Sequence, residues 1–338
     1  MDMPAAIRAV TERRDLKADD MRTVMQTIMT GQATPAQIGG FLVGLRMKGE
    51  TVEEITGSAR VMREKAVPIK LDAKYHVDTC GTGGDMAHTF NISTTVAFVV
   101  AGAGVAVAKH GNRSVSSKSG SADVLQALGV NIELPSHRVE ECLKEVGIAF
   151  LFAPMMHLAM KFTIGPRREI GIRTLFNILG PLTNPAKVTS QIMGVYTAEL
   201  TAPLAQALGN LGATHAFVVH GSDGLDEITI TDKTRISEFK DGKVTDYFIH
   251  PADFGMTVGK AEELKGGDAK ANAAITLEVL KGQKGSRRDI ILLNAAAGLV
   301  ASGKATDFKE GIRLASESID SGAALKKVEQ LKAFTNRP

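Results

Sequence analysis

The chain has 338 residues, enough for two domains or one large α/β unit. Its hydrophobic content of 44% and charged content of 23% are those expected of a soluble globular protein, and a net charge of +3 is too slight to argue for nucleic acid. The absence of Trp and an aromatic content of 5% leave few platforms for base stacking, and the two cysteines, Cys80 and Cys142, lack the spacing of a zinc site or disulfide framework.

A reducing compartment and a cytoplasmic location are therefore expected. Met1 to Arg14 carries charges throughout and no apolar run, so no signal peptide is expected there. The longest apolar run, Thr94 to Ala108, is shorter than the ~20 residues of a membrane helix and contains Gly102 and Gly104.

Residues 16–66 read as three helices. Met21, Val24, Met25 and Ile28 form one apolar stripe, which Gly31 can end. Thr34-Pro35-Ala36-Gln37 combines a capping box with proline at the first helical position, ahead of Ile38, Phe41, Leu42 and Leu45. Thr51-Val52-Glu53-Glu54 is a second capping box, ahead of Ile55, Ala59 and Met62. Such helices must pack on something, either as a small helical domain or at a subunit interface.

Beyond a linker at 67–74, strands and helices alternate. His76–Thr79 reads as a strand, Ser93 and Thr94 as caps of a helix to about Ala103, and Val105–Ala108 as a strand. Ser121–Leu128 reads as a helix closed by Gly129, Val130–Leu134 as a strand, Ser136–Val146 as a helix capped by Ser136 and ended by Gly147, and Ile148–Ala153 as a strand. This order predicts an α/β fold with a mainly parallel sheet and an added helical domain.

Residues 154–186 break the rhythm with Pro154, Pro166, Pro181 and Pro185, and can be an excursion that packs back on the N-terminal helices. Arg173–Leu179 looks helical. The arginines Arg167 and Arg168 read, on sequence alone, as a solvated face. Further on come a strand at Ile192–Val195, a helix around Ala202–Leu211 and a strand at Ala216–Val219. Ile228–Phe239 alternates like a β ribbon, with a hairpin turn at Asp241-Gly242 and a return strand at Val244–Ile249. Ala271–Lys281, Arg287–Ala301 and Phe308–Ser318 read as helices. The division expected is 1–70, joined by part of 154–186, as a helical domain, and 71–338 as the α/β domain.

Two loops at strand ends carry the chemistry. The first is Cys80-Gly81-Thr82-Gly83-Gly84-Asp85, running on to Thr89-Phe90-Asn91-Ile92-Ser93-Thr94. The second is Lys109 to Ser121, with Lys109, Arg113 and Lys118 among serines and glycines. Glycines let the backbone approach a ligand, helix starts offer free N–H groups to an anion, and the hydroxyls and cations add to both. Together they predict a phosphate site. Neither loop is a Walker loop or a dinucleotide fingerprint, which disfavours a P-loop ATPase or a nicotinamide enzyme. Cys80 has no partner base in the sequence to make it a nucleophile. Asp226-Glu227 follows a third strand end, where adjacent carboxylates suit Mg²⁺ in the presence of substrate phosphates. His220, just before that turn, reads as a satisfied loop histidine rather than a base.

With these residues in view, the chain resembles the anthranilate phosphoribosyltransferase family over nearly its whole length. The likeness is carried by Arg46–Thr51, Gly81–Asp85, Asn91–Thr94, Lys109–Ala122, Arg173–Pro185 and Asp223–Glu227. It departs at Leu158, where the family often has proline, and at Pro166, where it often lacks one. The resemblance implies a nucleoside-phosphorylase-like phosphoribosyltransferase architecture and a homodimer meeting through the helical part. It implies transfer of phosphoribose from phosphoribosyl pyrophosphate to the amine of anthranilate, with Mg²⁺. By position, Gly81, Gly84, Asp85, Thr89, Asn91, Ile92, Ser93, Thr94, Lys109, His110, Gly111, Asn112, Arg113, Ser114, Val115, Ser116, Ser117 and Ser121 would hold pyrophosphate and ribose. Ser93, Asp226 and Glu227 would hold Mg²⁺, and Gly81, Asn112 and Arg167 would meet anthranilate. A pyrimidine nucleoside phosphorylase and a nucleic-acid-binding relative are the competing expectations. The acidic pair argues against the first, and the small net charge against the second.

Overall fold

The computed structural model describes residues 1–114 and 119–337. Four helices open the chain: α1 (Met3–Thr11), α2 (Ala18–Met29), α3 (Pro35–Lys48) and α4 (Val52–Lys65). The first was not anticipated. Asp2 caps it by accepting from the Ala5 N–H at 2.8 Å, and Met3, Ala6, Ala9 and Val10 bury its apolar stripe. Both capping boxes form, at Thr34 with Gln37 and at Thr51 with Glu54. The Glu54 carboxylate is fully buried and accepts from the Leu16 N–H at 2.9 Å and from Lys48 Nζ at 3.0 Å. One side chain thus ties the approach to α2, the end of α3 and the start of α4.

The α/β part follows: β1 (His76–Gly81), α5 (Ile92–Gly102), β2 (Ala106–Gly111), α6 (Ser121–Ala127), α7 (Ser136–Val146) and β3 (Ile148–Phe152). The chain then leaves the sheet through α8 (Ala153–Met156), α9 (Lys161–Ile170) and α10 (Phe176–Leu179). In this stretch α9 lies against α2 and α3, and α10 against α4. The sheet resumes with β4 (Ser190–Gly194), α11 (Thr201–Asn210), β5 (His215–Gly221) and the hairpin β6 (Thr234–Lys240) and β7 (Lys243–Ile249). Helices α12 (Ala269–Leu280), α13 (Ser286–Ala301), α14 (Phe308–Asp320) and α15 (Ala323–Thr335) complete it.

Among the described residues the sheet order is β3-β2-β1-β4-β5-β6-β7. The first five strands are parallel and the last two antiparallel. Side chains alternate across a strand, so the two sheet faces feed two cores. Ile192, Phe217 and Val219 join the core built on α5 and α13. Met193, Val218 and Phe239 join the core of α1–α4 and α11, together with Leu175, Phe176 and Leu179 of the excursion.

Several sequence expectations are corrected. Val130–Leu134 is not a strand: its alternation is real, but the Asn131 N–H donates to Thr335 Oγ1 of α15, so a helix and not a strand lies beside it. The ribbon read from Ile228 begins only at Thr234. Ile228 is held instead by Asn294 of α13, which accepts from its N–H and donates to its carbonyl. In Arg173–Leu179 only Phe176–Leu179 is helical. Asn91, not Ser93 or Thr94, stands at the cap position of α5, and Pro135, not Ser136, at that of α7. Helix α15 was not foreseen.

Candidate active site

Strand order reverses between β1 and β4, since β1 leads on to β2 and β3 on one side and β4 to β5 on the other. At such a switch point the loops leaving the carboxyl ends part and open a crevice. Gly81 and Gly194 end these two strands side by side. The 223–227 loop lies directly on them. A Cβ at Gly194 would sit 1.5 Å from the Asp226 carbonyl oxygen, and one at Gly81 would sit 2.8 Å from Asp226 Oδ2. Only glycine at both strand ends lets the acidic loop descend onto the sheet edge. Past Gly81 the first loop turns through left-handed conformations at Gly83, Gly84, Met86 and His88.

The acidic pair is gripped by the loop that was expected to hold anions. The Gly83 N–H donates to Asp226 Oδ2 at 2.9 Å, and the Ser93 N–H, in the first turn of α5, donates to Glu227 Oε1 at 3.1 Å. Burial pushes both carboxyls up, Asp226 well above its ordinary range and Glu227 to about 8. Asp85 and Glu227 add repulsion at Asp226. At Glu227, Lys109 opposes the rise while Asp85 adds to it. Crowded, buried carboxylates of this kind are relieved by a cation. Among the described residues no three His, Cys, Asp or Glu side chains form a ready metal cage. Two carboxylates with water and phosphate oxygens are the donor set that Mg²⁺ takes, so these residues fit it.

Lys109 does not stand on the loop surface. It is buried, and its ammonium donates to the Thr79 carbonyl and lies 3.4 Å from Ser93 Oγ. Burial lowers its pKa, against the pull of Asp78, Cys80 and Glu227. Its ammonium nitrogen is thereby held beneath the first turn of α5. Thr94 is likewise buried and lines a small void together with Lys109, and Ile92 is buried in the core. Cys80 is buried beside Gln191 and its thiol is pushed well up by burial, so no reactive thiolate stands here.

In the second loop Asp123 does the closing. Its Oδ2 accepts from the Ser114 N–H at 3.3 Å and from the Gly120 N–H at 2.8 Å, drawing the two sides together. A Cβ at Gly120 would lie 2.3 Å from the Ser114 nitrogen. The Asn112 carbonyl accepts from Ser121 Oγ at 3.2 Å. Arg113 Nη1 bonds Asp123 at 2.9 Å and Gln126 at 2.7 Å, so its charge is spent on α6 rather than offered to the loop. Val115, Ser116, Ser117 and Lys118 lie outside the described residues.

The excursion brings further groups to the crevice. The Arg173 guanidinium donates to the Gly84 carbonyl and lies 4.0 Å from the centroid of the Tyr196 ring. Arg167 is half-buried, 5.2 Å from the Phe176 ring centroid, and burial lowers its pKa. It is not the solvated face expected of it, whereas Arg168 is exposed. His110 is buried, with Nδ1 on the Gly180 carbonyl at 3.1 Å and Nε2 3.2 Å from His157 Nε2. Its backbone N–H donates to Asp78 Oδ1 at 3.2 Å, and the same carboxylate takes Asn184 Nδ2 at 2.8 Å. His220 lies within β5 rather than in a loop, and its Nδ1 is satisfied 2.7 Å from the Val195 carbonyl. Sequence reasoning missed Arg173, Asp123, Asp78 and Asn184. Arg173 and Asn184 left a trace, inside the Arg173–Pro185 motif of the resemblance, whereas Asp78 and Asp123 left none.

Two family models match the chain: a glycosyl transferase family helical bundle domain over residues 4–66 and a glycosyl transferase family a/b domain over residues 73–325. The anthranilate phosphoribosyltransferase of Symbiobacterium thermophilum is 55% identical, over 99% of this chain and 98% of its own length. The crystal structure of the Thermus thermophilus anthranilate phosphoribosyltransferase superposes with a TM-score of 0.93 at 42% identity, covering 98% of this chain and 99% of that one. The Saccharomyces cerevisiae enzyme, solved in complex with PRPP and Mg, gives a TM-score of 0.90 at 29% identity, covering 98% and 97%. With this identity over nearly the full length of both chains, and both family models matched, the chain belongs to the anthranilate phosphoribosyltransferase family.

Proposed function

We propose that the chain transfers phosphoribose from phosphoribosyl pyrophosphate to the amine of anthranilate, giving N-(5-phosphoribosyl)anthranilate and pyrophosphate, a step of tryptophan biosynthesis. The observation that carries this reading is the meeting of the glycine-rich first loop and the Asp226-Glu227 loop at the switch point of the sheet. We assign Asp226, Glu227 and Ser93 to Mg²⁺. When bound, Mg²⁺ would neutralise charge on the pyrophosphate.

The bond broken joins the anomeric carbon to a pyrophosphate oxygen, and the bond formed joins that carbon to the anthranilate nitrogen. Charge builds on the leaving pyrophosphate, so catalysis is mainly electrostatic. The first turn of α5 holds Glu227 through the Ser93 N–H, and the Lys109 ammonium nitrogen lies beneath that turn, 3.4 Å from Ser93 Oγ. The attacking amine is neutral, and the proton it sheds after attack needs no strong base. Gly81, Gly84, Asp85, Thr89, Asn91 to Thr94, Lys109 to Ser117 and Ser121 are assigned to pyrophosphate and ribose, and Gly81, Asn112 and Arg167 to anthranilate.

The helical domain of residues 1–70, with part of 154–186, and the α/β domain of 71–338 form the two walls in this reading. A homodimer through the helical part is expected. No described helix is long and apolar enough to cross a membrane. Release of one pyrophosphate per anthranilate consumed tests the reaction. Pyrimidine release from a nucleoside with inorganic phosphate, and no pyrophosphate with anthranilate, would instead favour a phosphorylase.

A further inference from the structure

Helix α12 reaches the start of α5 through two rungs. Asn272 Nδ2 donates to Asn91 Oδ1 at 2.9 Å, and Thr276 Oγ1 lies 2.9 Å from Thr95 Oγ1. Each helix presents residues four apart, so the pairs stack along one face of each. Asn272 and Thr276 are both buried.

The chain of bonds through Asn272 has only one self-consistent direction. The Gly267 N–H needs an acceptor and finds Asn272 Oδ1 at 2.7 Å. That turns the Asn272 amino group toward Asn91, which must answer with its own oxygen. The Asn91 amino group is then left to donate to the Ser119 carbonyl of the second loop, at 3.2 Å. A backbone donor at one end and a backbone acceptor at the other thus fix both amides. The turn that begins this chain is also pressed on the first loop. The Phe90 N–H donates to the Leu264 carbonyl, the Gly266 N–H to the His88 carbonyl, and a Cβ at Gly266 would lie 2.7 Å from the Phe90 backbone.

We propose that Asn272 is a positioning residue for phosphoribosyl transfer, setting the amide of Asn91 and so locking the first loop, the second loop and the 264–267 turn into one register. The proposal rests on the placement of phosphoribosyl pyrophosphate at Asn91. Asn272 itself touches only Asn91 and Gly267 of this chain of bonds, so its effect on substrate passes through Asn91.

The test is a double-mutant cycle on the full-length protein with Asn91→Ala, Asn272→Ala and both together. Affinity for phosphoribosyl pyrophosphate with Mg²⁺ is read by calorimetry, and KM for each substrate by turnover. Loss of one buried hydrogen-bonded partner corresponds to about a tenfold loss of affinity. Asn272→Ala should weaken phosphoribosyl pyrophosphate by about that factor and leave the anthranilate KM within about twofold. The double variant should lose no more than Asn91→Ala alone, because both act through one amide. Asn272→Asp is nearly isosteric and keeps the acceptor for Gly267, but its carboxylate cannot donate to Asn91. It should fold and show the same loss. Multiplying losses in the double variant, equal losses for both substrates, or wild-type affinity in Asn272→Asp would overturn the proposal. Wild-type protein that binds phosphoribosyl pyrophosphate without turning over would overturn the transferase reading alone, and the calorimetric cycle would still decide on Asn272. Wild-type protein that does not bind it would overturn both.

Discussion

Gly194→Ala places a methyl group where the acidic loop rests. The ideal Cβ lies 1.5 Å from the Asp226 carbonyl oxygen, whereas real Cβ atoms essentially never approach within 3.0 Å of another atom. The loop must therefore retreat by about 1.5 Å, and it cannot settle over β1 because Gly81 already lies under Asp226 Oδ2. The retreat pulls Asp226 from the Gly83 N–H and Glu227 from the Ser93 N–H. Overpacking of this kind costs about 1–3 kcal/mol of stability. Misplacing a catalytic group by about 1 Å costs on the order of 100-fold in rate. The variant should thus melt only a few degrees lower yet lose about two orders of magnitude in kcat/KM, with its Mg²⁺ midpoint displaced upward. The assay is initial-rate loss of anthranilate fluorescence across a Mg²⁺ titration, beside a thermal melt. Turnover and a Mg²⁺ midpoint within about twofold of wild type would refute the claim that these glycines seat the carboxylates.

Asp226→Asn with Glu227→Gln should lower turnover and flatten the Mg²⁺ dependence, while raising the melting temperature without metal, because burial and mutual repulsion oppose the two charges. An unchanged Mg²⁺ titration would move the metal elsewhere. Arg167→Ala should raise the anthranilate KM and spare that of phosphoribosyl pyrophosphate, and steady-state kinetics would show the split. Burial pushes His110 down to about 3 and His157 to about 4, whereas an unfolded imidazole titrates near ~6.5. As pH falls below that value the unfolded chain binds protons that the folded one refuses, so stability is lost with falling pH. The loss is about 2 kcal/mol per imidazole between about pH 7.5 and about pH 5. Urea midpoints should show this drop, and His157→Asn should remove about half of it.

The loops at strand ends were legible because their chemistry is local. Glycine, serine and threonine just past a buried strand mark a turn at a strand's carboxyl end, and Asp226-Glu227 stood out by simple adjacency. Capping boxes at Thr34 and Thr51 were legible for the same reason. Most of what failed depends on a distant partner. Alternation at Val130, Ile132 and Leu134 is the same whether a strand or α15 lies beside it. Lys109 and Arg113 read as loop charges, but their positions are set by Ser93 and Thr79 in one case and by Asp123 and Gln126 in the other. Asn272 carries no signal at all, since its meaning lies in Asn91, 181 residues away. Helix α1 was overlooked although Asp2, with its stripe Met3, Ala6, Ala9 and Val10, carried the evidence.

The most direct test of the whole account is anthranilate fluorescence in mixtures that omit one component at a time. Loss of signal only when protein, phosphoribosyl pyrophosphate and Mg²⁺ are all present, with the rate proportional to protein, is the predicted result. Undiminished fluorescence with folded protein and all three present would contradict it.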